Sequence, residues 1–176
     1  MSYQFRPEQD SSKKELVHGF IQIYTGEGKG KTTAALGLMF RAVGYGLDAR
    51  MLQFMKHVYT SEQAAAERFG FSIEQALATD PDIGCQEILQ KAKDYLAEGE
   101  VDVLILDETG EALRRGFIDR SDIEALIEMK PDKTELVFTG RYLEDKIGDL
   151  ADLITEMKLQ KHYFDAGVLA RKGIEF

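Results

Sequence analysis

The sequence predicts an α/β fold, a mostly parallel sheet with helices on both faces. Three observations carry that prediction. Short apolar runs alternate with amphipathic stretches along most of the chain, which implies parallel β-α-β units with right-handed crossovers. A glycine-rich turn joins the first apolar run to the first helical one. Val101-Asp102-Val103-Leu104-Ile105-Leu106 is nearly all apolar, as a strand buried on both faces must be, and it ends on the acids Asp107 and Glu108.

Residues 20–25 are the first predicted strand, and a helix follows from Lys31 to about Val43, ended by Gly44-Tyr45-Gly46. A second strand is expected over 49–55, then a short helix over 61–69 with Ser61 at its cap, then a strand over 70–76. Ile88, Leu89, Ala92, Tyr95 and Leu96 form one stripe of a helix over 83–98, closed by Gly99. The central strand over 101–106 is followed by a helix over 120–129, with Asp119 or Ser121 near its cap. A strand over 135–139, a helix over 143–150 and a late strand over 153–157 complete the series. The three prolines, Pro7, Pro81 and Pro131, fall outside the interiors of these elements. With 176 residues and no repeat or linker, the chain divides into a flexible N-terminal arm over 1–18 and a single domain over 19–176.

The turn after the first strand reads Thr25-Gly26-Glu27-Gly28-Lys29-Gly30-Lys31-Thr32-Thr33. Glycines let a backbone turn tightly and aim several N–H groups at one anion. The N-terminus of the next helix adds partial positive charge. Lys31 offers a mobile ammonium for phosphate oxygens, and Thr32 a hydroxyl suited to Mg2+. A nucleoside triphosphate is the expected ligand. The loop departs from the usual pattern, because Thr25 stands where the first glycine belongs and Gly26 follows one residue late. Glu27 would be repelled by phosphate, so it is expected to point outward, or to reach a ribose or a metal-bound water. A glycine-rich turn without a ligand is the bland alternative.

Asp107 and Glu108 are the candidate metal carboxylates, on a strand expected to lie beside the loop, with Glu111 one turn further on. Arg141 in Thr139-Gly140-Arg141 is placed to reach a phosphate or to sit in a surface turn. Arg41, three turns along the first helix, reaches a substrate or is simply solvated. His57 and His162 are isolated histidines, more often packed or exposed than functional. No cluster has zinc spacing and no nucleophilic triad is visible.

A hydrophobic fraction of 44% with 30% charged residues is that of a soluble globular protein. A formal net charge of −9 argues against nucleic-acid and membrane-surface partners. No run is long enough to span a bilayer, the N-terminus lacks a signal-like apolar stretch, and the single Cys85 cannot form an internal disulfide. Cytoplasm is the expected compartment.

Three blocks resemble the P-loop ATP:corrinoid adenosyltransferases. The first runs from Tyr24 through the loop to Leu36-Gly37, then Arg41-Ala42-Val43-Gly44-Tyr45-Gly46 and Gln53-Phe54-Met55-Lys56. The second is Leu106-Asp107-Glu108. The third, the most specific, includes Thr139-Gly140-Arg141, residues 150–157, Lys161-His162-Tyr163-Phe164-Asp165-Ala166-Gly167-Val168 and Lys172-Gly173-Ile174-Glu175-Phe176. The late first glycine is itself that family's pattern.

The resemblance implies a RecA-like P-loop NTPase fold in a homodimer. It implies transfer of the 5′-deoxyadenosyl group of ATP to the Co(I) of a reduced corrinoid, with triphosphate leaving, and a flavoprotein as possible reductant. By position, Thr25, Gly26, Glu27, Gly28, Lys29, Gly30, Lys31, Thr32 and Thr33 would form the ATP loop. Thr32, Asp107 and Glu108 would serve Mg2+, Lys31 and Glu108 would be catalytic, and Arg41 and Arg141 would assist the nucleotide. Between Lys56 and Asp107 the chain is shorter than the family's pattern and lacks tryptophan, leaving Tyr59, Phe69 and Phe71 as candidate corrin contacts. Thr109-Gly110 stands where a bulkier pair is expected. The other readings are a P-loop kinase or NTPase using His57 or Glu111, and a nucleotide-dependent regulator that has lost corrinoid binding.

Overall fold

The computed structural model describes residues 14–56 and 58–175. Most of the expected arm, the histidine at position 57 and the final phenylalanine lie outside the described residues.

Six strands form one sheet in the order β3-β2-β4-β5-β1-β6, and every described pairing is parallel. They are β1 (Ile21–Thr25), β2 (Ala49–Gln53), β3 (Ser72–Gln75), β4 (Val103–Asp107), β5 (Glu135–Thr139) and β6 (Leu153–Glu156). The helices are α1 (Lys31–Tyr45), α2 (Ser61–Phe69), α3 (Pro81–Glu98), α4 (Thr109–Arg115), α5 (Arg120–Met129) and α6 (Leu143–Ile147). The central strands β4 and β5 are buried along their whole length, as their apolar runs require.

Alternation along the strands sorts the core into two layers. Leu104, Leu106, Leu136 and Phe138 face one side and pack with Ile88, Leu89 and Leu96 of α3, Ile123 and Leu126 of α5, and Leu143 and Ile147 of α6. Val103, Ile105 and Val137 face the other side and pack against Ala35, Met39 and Ala42 of α1. Helices thus cover both faces, unequally. No helix among the described residues is long and apolar enough to cross a membrane.

The boundaries differ from expectation for identifiable reasons. Helix α3 begins at Pro81, because the Asp80 side chain accepts the N–H groups of Asp82 and Ile83 and a proline at the first helical position has no N–H to satisfy. The second strand stops at Gln53, since the chain turns at Met55 with φ 60°. The expected helix over 143–150 ends at Ile147 and continues as a 3-10 turn, Gly148–Leu150. Helix α4 was not anticipated as an element.

The acid-tipped strand β4 reaches the loop without pairing with β1; β5 separates them, pairing with β4 on one edge and β1 on the other. The carboxyl ends of β4, β5, β1 and β6 therefore line up along one edge of the sheet, where α/β folds bind ligands.

Candidate functional site

Along this edge the loop after β1 rests on the chain leaving β6. The Gly28 N–H donates to the Met157 carbonyl at 2.7 Å. A Cβ on Gly26 would sit 2.5 Å from that oxygen and one on Gly28 2.6 Å, so neither position accepts a side chain. Gly26 and Gly30 also have φ of 97° and 124°. Thr25 occupies the pattern's first glycine position with a buried side chain whose hydroxyl donates to Glu144 and accepts the Leu143 N–H. Through its side chain Thr25 anchors α6 to the loop strand. Glu27 is exposed at the rim of the loop, accepting from the Tyr142 hydroxyl at 2.7 Å.

Lys31 is folded onto its own loop, donating to the carbonyls of Gly26 at 2.7 Å and Gly28 at 2.8 Å. Burial, and then the Arg141 charge, hold its ammonium below the usual lysine range. An anion in the cavity relieves both penalties.

Asp107 is fully buried and holds four donors. Its Oδ1 accepts the hydroxyls of Thr32 at 2.9 Å and Thr139 at 2.6 Å, and its Oδ2 accepts Gln53 Nε2 at 3.0 Å and Lys56 Nζ at 3.1 Å. Burial pulls Lys56 down, but Asp107 and Glu62 outweigh it and hold the ammonium above its ordinary value. Asp107 thus has both oxygens engaged by donors. By taking the Thr32 proton it leaves that hydroxyl's lone pairs for a cation.

Glu108 is the carboxylate that lines the cavity. Its backbone is left-handed, with φ 62°, and its N–H donates to the Thr139 hydroxyl at 3.1 Å. Burial, and then Asp107, push its carboxyl above the ordinary range. A carboxylate penalised in this way is suited to a cation. No group of three or more histidine, cysteine or acidic residues forms a metal cluster among the described residues, so a cation here would draw on Thr32, Glu108 and the ligand's phosphates.

The unexpected pair Thr109-Gly110 has a steric reason. A Cβ on Gly110 would lie 2.4 Å from the Arg141 carbonyl oxygen, so the ends of β4 and β5 touch backbone to backbone. This contact sets Arg141 at the cavity.

The cavity, about 360 Å3, is lined by residues 27–33, Glu108, Arg141, His162, Ile174 and Glu175. A second cavity of about 400 Å3 shares Thr32, Thr33, Glu108, Ile174 and Glu175, and extends to Lys56, Ser61 and Glu62. The predicted residues Glu27, Gly28, Lys29, Gly30, Lys31, Thr32, Thr33, Glu108 and Arg141 are thus brought together. Arg41 is not; it lines an apolar groove with Leu16, Phe40 and Tyr45 on the α1 face. Nor does Phe71 belong to the site, since it packs with the core layer beneath α1. Phe69 stacks edge-on against Phe40, and the Tyr59 hydroxyl donates to Glu67.

Sequence reasoning missed the wall made by the carboxyl-terminal segment. Lys29 Nζ donates to the Ile174 carbonyl and to Glu175 Oε1, both at 2.9 Å, and to the Tyr163 hydroxyl at 3.3 Å. Arg171, Tyr163 and Lys29 together hold the Glu175 carboxyl well below the usual range. The signal available was the third resemblance block, which contains His162, Tyr163 and Glu175 without assigning them a task.

The family model described as ATP:corrinoid adenosyltransferase BtuR/CobO/CobP matches residues 17–176. The chain is 35% identical over 173 residues to a corrinoid adenosyltransferase of Sinorhizobium sp, covering 90% of this chain and 80% of that protein. It is 34% identical over 169 residues to a corrinoid adenosyltransferase of Escherichia coli, covering 90% and 86%. A shorter similarity, 30% over 98 residues, connects 56% of the chain to 26% of the RecA protein of Desulfotalea psychrophila, in accord with the P-loop fold.

Proposed function

This chain belongs to the ATP:corrinoid adenosyltransferase BtuR/CobO/CobP family and transfers the 5′-deoxyadenosyl group of ATP to a reduced corrinoid; on that premise we propose how its residues divide the work. The observation that carries the assignment is the pairing of Thr32 with Asp107, beside a cavity whose lining brings Lys31, Arg141 and Glu108 together.

The backbone of Gly28 and Gly30, with Lys31, Thr32 and Thr33, holds the triphosphate. Thr32 and Glu108 hold Mg2+, which neutralises phosphate charge when bound. Asp107 acts through Thr32. Arg141 meets the phosphates from the end of β5. In the reaction the C5′–O bond of ATP breaks, its electron pair leaves with the triphosphate, and Co(I) supplies the pair for the new Co–C bond. The nucleophile belongs to the substrate, so the protein needs neither nucleophile nor general base. Its work is alignment of C5′ with cobalt and stabilisation of the departing charge. The adjoining cavity toward Lys56 and Ser61, with Tyr59 at the start of α2, is where the adenosyl end and the corrin meet.

A homodimer is supported by the α1 face, where Phe40 and Tyr45 stand exposed beside an apolar groove of about 750 Å3. A reducing cytoplasm with a flavoprotein electron donor suits both Co(I) and the buried, unpaired Cys85.

Anaerobic incubation with chemically reduced cob(I)alamin, ATP and Mg2+ tests the assignment. A light-sensitive adenosylated corrinoid together with triphosphate is expected. ADP with no adenosylated product, repeated with cobinamide and cobyrinic acid diamide, is the result that overturns it in favour of a kinase or NTPase.

A further inference from the structure

A departing triphosphate carries several negative charges, and the loop and strand ends meet it from two sides only. The third side of the cavity is the carboxyl-terminal segment, which presents His162, Ile174 and Glu175. Ile174 offers no charge. Glu175 is anionic and already holds Arg171, Tyr163 and Lys29. That leaves His162 as the group on this wall able to donate to an anion.

The histidine is oriented for that task. Its Nδ1 accepts the Phe164 N–H at 3.0 Å, at the start of the 3-10 turn Tyr163–Ala166. A ring nitrogen that accepts a backbone N–H carries no proton, so the ring proton sits on Nε2. The Tyr163 ring packs against the imidazole with centroids 4.7 Å apart, and the side chain is half-buried. Nε2 has no hydrogen-bond partner among the described residues.

We propose that His162 belongs to the triphosphate subsite, with its Nε2–H donating to a phosphate oxygen of ATP and of the leaving triphosphate. This rests on the reading of the cavity as the phosphate site. The backbone bond at Nδ1 fixes the tautomer, so the donor is preset before the anion arrives. The same segment that clasps Lys29 therefore also contacts the ligand.

Two substitutions separate the donor from the cap. In His162→Asn the side-chain oxygen replaces Nδ1 toward Phe164, but nothing reaches the Nε2 position. In His162→Gln the amide reaches the Nε2 position and the cap is lost. Binding of inorganic tripolyphosphate with Mg2+ is measured by calorimetry on the full chain, alongside thermal melting. His162→Asn is expected to melt like the wild type and to bind tripolyphosphate about tenfold more weakly, the scale of one hydrogen bond to a charged acceptor. His162→Gln is expected to stay within about threefold of the wild type, because the donor is retained. Unchanged binding by His162→Asn overturns the inference. So does equal weakening of both variants, which would assign His162 a purely structural role. A wild-type chain that binds neither tripolyphosphate nor ATP overturns the phosphate-site reading itself, and that failure is visible before any variant is made.

Discussion

Replacing Asp107 separates stability from metal recruitment. Asp107→Ala strips the acceptor from two hydroxyls, an amide and the Lys56 ammonium at once. Removing one partner of a buried ion pair costs about 3–5 kcal/mol. For a chain of 176 residues, at roughly 2–4 °C per kcal/mol, the melting temperature falls by about 6–20 °C. Asp107→Asn behaves differently. Its amide turns so that the oxygen keeps Gln53 and Lys56, while its NH2 donates to Thr32 and Thr139. Each hydroxyl then accepts where it formerly donated. Lys56 retains Glu62 at 3.2 Å as a counter-charge, so the stability loss is about 1–2 kcal/mol. The Thr32 proton, however, now turns toward the cation site. Mg2+ affinity of the ATP complex should fall by about 10–100-fold, as it does when a group orienting a metal ligand is changed. Thermal melts of both variants, with calorimetric ATP titrations across Mg2+ concentrations, measure the two effects. If the asparagine variant lost as much stability as the alanine variant while its Mg2+ dependence stayed wild-type, the assignment of Asp107 as the orienting group for Thr32 would be refuted.

Gly110→Ala should destabilise the fold by about 1–3 kcal/mol, since its Cβ meets backbone at Arg141 that cannot swing aside; a melt within a degree of wild type would show that the β4 and β5 ends can part. The carboxyl-terminal clasp should be insensitive to pH in the neutral range. The Glu175 carboxyl is depressed, so its stabilisation is present above the ordinary carboxylate value and is lost only as pH falls through the depressed one. Hydrogen-exchange protection factors of residues 163–175, taken relative to the intrinsic rate at each pH, should stay constant from pH 8 to about 5 and fall at pH 7 in Glu175→Gln; equal protection in that variant would dismiss the clasp.

Much of this was legible because local rules apply locally. The central strands are buried on both faces, so residues 101–106 and 135–139 announce themselves as apolar runs. The loop is legible because anion cradles need glycines, and the α/β class follows from alternation alone. The insertion of β5 between β4 and β1 was not legible, because neighbour choice in a sheet leaves no mark on any one strand. The inward turn of the Thr25 side chain was not legible for a related reason. Its partner Glu144 lies 119 residues away, and only the folded chain shows that the side chain turns inward. The place of His162 and Glu175 at the cavity was not legible because it depends on a tail folding back over 130 residues onto Lys29.

Strand β1 is among the first elements of the chain to be made, yet both of its neighbours, β5 and β6, come from the last third. On the ribosome, the phosphate loop therefore emerges early but stays unsupported until residues beyond Met157 have left the exit. Pairings so distant in sequence close slowly, because the intervening chain must be ordered first. A fragment ending before β5 contains every residue of the glycine-rich motif and still has no cradle. The shape of the glycine-rich loop thus rests on strands that come much later in the sequence.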